Sequence, residues 1–117
     1  MKKYLVIVLV LALSTLTLPA YASVYSCTGT VTTLEVASCC GGVVFVSGVG
    51  GLNGVAICTL NGSAGSFNAD SCKAAYATLL AAKLQGLTAT IAFSDSLTCS
   101  TQPNSTATTS AWAVSAQ

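Results

Sequence analysis

Six cysteines, at positions 27, 39, 40, 58, 72 and 99, fall in a chain of 117 residues that has no histidine. That count limits the fold more than any other feature. A small domain buries a limited share of its surface, so covalent staples help it most. An even number of cysteines in a short exported chain therefore reads as a disulfide framework. Two of the six are adjacent. Cys39 and Cys40 stand in "VASCCGGVVFV", ahead of two glycines and a run of β-branched residues.

Export is read from the first residues. Lys2 and Lys3 precede an unbroken apolar run, Leu5 to Leu13, with further apolar residues to Leu18. Pro19 follows, and Ala20-Tyr21-Ala22 supplies a small-x-small cleavage pattern. This is the signature of a secretory signal peptide, with the cut expected between Ala22 and Ser23. A membrane anchor is disfavoured because Pro19 ends the run and no positive stop-transfer cluster follows it. Residues 1–22 are thus expected to be a leader and 23–117 a single domain, in the periplasm or the medium, with no membrane contact after cleavage.

Without its leader the chain has Lys73 and Lys83 against Glu35, Asp70 and Asp95, a formal charge of −1, where the full sequence has +1. Two lysines cannot line a phosphate-binding groove, so nucleic acid is excluded as a partner. Catalysis is disfavoured for a related reason: a positioned acid, base, nucleophile or metal is needed. Histidine is absent, no spacing pairs the three carboxylates, and no Ser-His-Asp or GxSxG arrangement occurs. "GVGGLNG" has neither the lysine of a phosphate loop nor the dinucleotide pattern and reads as a flexible hairpin turn. No catalytic residue, cofactor or metal is expected. Zinc in particular prefers four Cys or His ligands at paired spacings.

The element order follows from the hydrophobic pattern. "SVYSCTGTVTTLEVAS" is dominated by Val and Thr and reads as a first strand; "VVFVSGV" and "VAICTL" read as a second and third, joined by "CCGG" and "GGLNG". "ADSCKAAYATLLAAKLQ" is a helix, with Asn68 as N-cap, Asp70 at its positive end and Gly86 as C′ stop. Its apolar face is expected to carry Cys72, Tyr76, Leu79, Leu80 and Leu84, with Lys83 reaching water past a packed stem. "LTATIAF" and "TTSAWAV" read as the last strands, separated by a polar loop from Ser94. The fold class is therefore mainly β with one helix, in the order β-β-β-α-β-β. That is the order of a small OB-fold-like five-stranded barrel. The alternative is an open α+β sheet with one packed helix.

Cysteine pairing is read onto that order. Cys58 and Cys72 lie on either side of one loop, and their bond would pin the helix start to the sheet. The first and fourth strands are neighbours in an OB barrel, which favours Cys27 with Cys99. Cys39 and Cys40 remain. They form a strained ring with each other, or one of them bonds elsewhere, or both stay free for a partner chain; the ring is preferred.

A signal peptide, "YSCTGTV", "VAICTL", "SCKAAYATLLAAKLQG", "LTATIAF" and a Cys-containing loop together resemble small exported bacterial proteins of uncharacterised function. The resemblance rests on the Cys27, Cys58, Cys72 and Cys99 framework. The layout is also similar to the OB-fold B subunits of AB5 toxins, which assemble as glycan-binding pentamers. Cys39–Cys40 belongs to neither pattern. Together these imply a non-catalytic exported binding module for a glycan or a protein ligand, with oligomers allowed. The expected ligand face is Ser38, Gly41, Gly42 and Phe45, the loop from Ser94, and Trp112 as an aromatic platform. For Trp112, as for Tyr25 and Tyr76, packing into the core is the preferred reading. A self-assembling surface protein and a small inhibitor of a secreted enzyme are the alternatives.

Overall fold

The computed structural model describes residues 24–104 and 110–117. The expected leader, its cleavage point and positions 105–109 lie outside them. Six strands and one long helix form: β1 (Tyr25–Thr30), β2 (Thr33–Ala37), β3 (Val43–Ser47), β4 (Val55–Thr59), α1 (Ala69–Gln85), β5 (Thr88–Phe93) and β6 (Ala111–Ala116). The strands make two antiparallel three-stranded sheets, ordered β1-β5-β6 and β2-β3-β4. The fold is mainly β with one helix, and the described residues form no closed barrel.

The first expected strand is two. The chain leaves one sheet at Thr30 and enters the other at Thr33, with Val31 turned into the core and Thr32 donating its N–H to Ser47 O at 3.0 Å. Strands that switch sheets do so at such bends. The bend is supported from one side by a short 3-10 turn, Val49–Gly51, which packs on β1. A Cβ on Gly29 would come within 2.8 Å of Gly50 N, so only glycine lets these backbones approach. "GVGGLNG" is therefore no loose hairpin: Val49 and Leu52 are fully packed, and Gly54 N donates to Ser47 Oγ at 2.8 Å.

Helix α1 starts and stops where its caps require. Asn68 Oδ1 accepts from Ser71 N at 2.8 Å, and Ser71 Oγ accepts from Asn68 N at 2.9 Å, a reciprocal capping box. Gly86 ends it in the left-handed region at φ 66°. Its buried face is Cys72, Ala75, Leu79 and Ala82, with Tyr76 at its margin. Leu80 and Leu84 are exposed, which corrects the expected face by part of a turn. Small residues let the helix lie close to β6 and β4, and the wider leucine row is left outside.

One core joins everything. Val44, Val46, Val55, Ile57 and Cys58 come from one sheet, Cys27, Ala89, Ile91, Phe93 and Ala111 from the other, and the buried row of α1 closes it. Two disulfides cross its boundaries. Cys27–Cys99 ties β1 to the loop after β5, and Cys58–Cys72 ties β4 to the first turns of α1, each with 5.6 Å between Cα atoms.

Candidate functional site

The expected ligand face separates into two places. Ser38, Gly41 and Gly42 form the β2–β3 connection, and Phe45 lies half-buried on β3. Trp112 is on β6, in the other sheet. It lies beside Phe93, which pairs with Tyr25 at the start of β1, whereas the β2–β3 turn follows the end of β2. The two places thus sit at opposite ends of the β1–β2 run.

Trp112 is not core. It is 47% exposed, whereas Phe67 and Phe93 are buried and Tyr25 and Tyr76 pack partly into the core. The cause is a register shift. Ala92 pairs with Ala113 but Phe93 pairs with Ala111, so Trp112 is the extra residue of a β-bulge. Bulges re-aim a side chain relative to its strand. Here the neighbour Ala111 is fully buried and the indole is left facing out.

The loop beside Trp112 is fixed by Asp95. Its Oδ1 accepts from Tyr25 Oη at 2.7 Å and from Leu97 N at 2.8 Å. Its Oδ2 accepts from Gln102 Nε2 at 2.7 Å and from Ser110 Oγ. Gln102 also donates to Tyr25 Oη and is the buried polar residue of the described core. Tyr25 stacks on Phe93 with ring centroids 5.6 Å apart. Burial opposes ionisation of Asp95, but hydrogen bonds from Ser110, Tyr25, Gln102 and the Leu97 amide outweigh it and hold the carboxyl down to about 2. Burial first, and then the bond to Asp95, push the Tyr25 phenol up to about 12. A carboxylate with both oxygens engaged in this way is a structural anchor, not a free base. Together with Cys99 it holds the loop after Ser94 against β1 and to Ser110, two residues before Trp112.

This anchor is absent from the sequence expectations, which place Asp95 only as a loop residue. The local part was readable: an Asp whose side chain bonds the N–H two residues on makes an Asx turn. The rest joins positions 25, 95, 102 and 110, and no spacing rule brings those together.

The β2–β3 turn carries the adjacent cysteines as two free, exposed thiols, so the expected ring is not formed. Cys40 is left-handed at φ 59°, followed by Gly41 and Gly42 at 83° and 76°. Gly42 N donates to Cys39 O at 3.2 Å, and Leu60 N and Asn61 N donate to Gly42 O and Gly41 O at 3.0 Å each. The backbone of the tip is thus held from behind while both thiols face water. The Cys39 thiol, by hydrogen bonding and then by charge, raises the Cys40 thiol above its usual value.

Glu35 and Lys83 are exposed, and the Asp70–Lys73 pair, 3.7 Å apart, is an exposed contact of small energetic weight. Among the described residues no group of three Cys, Asp or Glu side chains is arranged to hold a metal ion. Scans of protein-family models, of curated proteins and of solved structures each return no match.

Proposed function

We propose that this chain is an exported, non-catalytic binding module that takes a glycan on the surface around Trp112. The observation that carries the proposal is the bulge that turns this ring outward beside a loop fixed by Asp95. An exposed indole offers a flat apolar face to the C–H side of a sugar ring. The serines that follow Phe93 and precede Ala111, Ser94 and Ser110, bring hydroxyls to the same sheet end to suit the hydroxyl rim, and fixing the loop beforehand lowers the ordering cost of binding.

An OB-like scaffold agrees with this reading. β1 and β2, taken as one bent strand, have β5 on one side and β3 on the other, with β6 and β4 beyond them. An OB barrel is a partly open five-stranded structure whose helix lies between its third and fourth strands, and such barrels bind oligosaccharides. The two cystines suit an oxidising, exported location.

Trp112 is the chain's sole tryptophan, so its fluorescence reports on the site directly. A glycan-array screen of residues 23–117 is expected to return ligands whose titration shifts that emission, and Trp112→Ala should abolish their binding without unfolding the domain. An array without hits, with unchanged emission, would leave a protein ligand, sought by co-purification. A second reading, assembly with copies of itself, is favoured by Leu80 and by Leu84, which is 77% exposed on α1. Sedimentation at high concentration separates the two.

A further inference from the structure

We infer that the Cys39–Cys40 tip is a covalent coupling site for a second copy of this chain, Cys39 of each copy bonding Cys40 of the other about a two-fold axis. The inference rests on the exported, oxidising location proposed above but not on any glycan.

Four observations carry it. The other four cysteines are already paired within the chain, three of them in the core, and both tip thiols are free of any disulfide. Their adjacency makes the tip self-complementary: under a two-fold axis the first thiol of one copy meets the second of the other, and both bonds form from one patch, as an isologous contact requires. A different protein would need its own matching pair. The tip is also uncharged, flanked by Ser38, Gly41, Gly42, Leu60 and Asn61, so two copies approach without like-charge repulsion. Finally, Val36, four residues before Cys40 on the edge strand β2, is 41% exposed and adds apolar surface near the tip. The turn backbone is held by Leu60 N and Asn61 N, so the thiols are presented in a fixed place.

The chemistry is ordinary exchange with a low-molecular-weight disulfide such as oxidised glutathione. A tip thiolate attacks one sulfur of the small disulfide and displaces the other as a thiolate, which takes up the proton. The partner's thiolate then attacks the mixed disulfide, forms the interchain bond and releases the second glutathione. Each interchain bond therefore oxidises two cysteine thiols and reduces one small disulfide to two thiols. The internal cystines are spectators, Cys58–Cys72 because both its residues are fully buried.

The test uses residues 23–117 in a glutathione redox buffer, followed by intact mass without reductant. The expected species has twice the chain mass, less six hydrogens per chain: four at the two cystines and two at the tip. It collapses to one chain on reduction. Peptide mapping should join Cys39 to Cys40 across chains. A single chain lacking six hydrogens means the vicinal ring, and a single chain lacking four, or carrying glutathione, means an uncoupled tip; each overturns the inference. Cys39→Ser with Cys40→Gly should stay a single chain and keep its melting temperature, because glycine accepts the left-handed backbone at position 40. If that variant still dimerises, the tip is not the coupling site. Export is read separately, from the N-terminus of the chain recovered from culture.

Discussion

Asp95 shows how one residue organises a surface it does not itself serve. Its carboxylate collects hydrogen bonds from β1, from the loop after β5 and from the residue before β6, so it closes one end of the first sheet. Asp95→Ala leaves the Tyr25 hydroxyl without its acceptor and the buried Gln102 amide with Tyr25 Oη as its remaining one. The expected loss is about 2 kcal/mol, measured by chemical denaturation. The pH dependence follows in both directions. Asp95 is held at about 2 against an ordinary 3.8, so its contribution is full above about pH 4 and disappears as the pH falls towards 2. Tyr25 is raised to about 12 from 10.0, so its contribution is full below about pH 10 and is lost between there and 12. Tyrosinate absorbance of residues 23–117 should resolve this late ionisation, and Tyr25→Phe should remove it. An early, ordinary titration would contradict the bond to Asp95.

At the scale of elements, α1 separates what periodicity predicts from what packing selects. Its ends coincide with the expected span because caps are local: Asn68, Ser71 and Gly86 act on the nearest backbone groups. Its orientation does not follow so closely. An apolar face read at 100° per residue is broad enough to include Leu80 and Leu84, but the sheets accept the narrower row of Cys72, Ala75, Leu79 and Ala82. Leu79→Ala should therefore cost about 2–5 kcal/mol. Leu84→Ala should change stability by less than about 0.5 kcal/mol. Equal losses from the two in a denaturant titration would contradict this orientation. The bulge in β6 is a similar case: nothing in "SAWAVSA" marks Trp112 as the residue without a cross-strand partner, and only pairing with Phe93 and Ala92 decides it.

Over the whole molecule, one local device, one close contact between elements and two disulfides share the stabilisation. The capping box acts within one helix end, and the Gly29–Gly50 approach seats the 3-10 turn on β1. Cys27–Cys99 joins residues 72 apart and Cys58–Cys72 residues 14 apart. In the chain-entropy model these closures contribute about 4 and about 3 kcal/mol. Replacing Cys27 and Cys99 together by alanine should lower stability by several kcal/mol and raise amide exchange first between Ser94 and Asn104, which exchange mass spectrometry can localise. Legible along the chain was what depends on sequence neighbours: strand character from β-branched runs and the limits of α1 from its caps. The pairing of the other four cysteines was also legible: Cys58–Cys72 from the element order, and Cys27–Cys99 from an expected strand adjacency that the pairing of β1 with β5 supplies. The remaining features came from tertiary structure, since each depends on which residues meet across the fold: the split of the first strand at Val31, the outward turn of Trp112, the free thiols at Cys39 and Cys40, and the Asp95 anchor. A side chain's own chemistry is fixed by its identity, but its burial, register and partners are set by distant segments that no local pattern encodes.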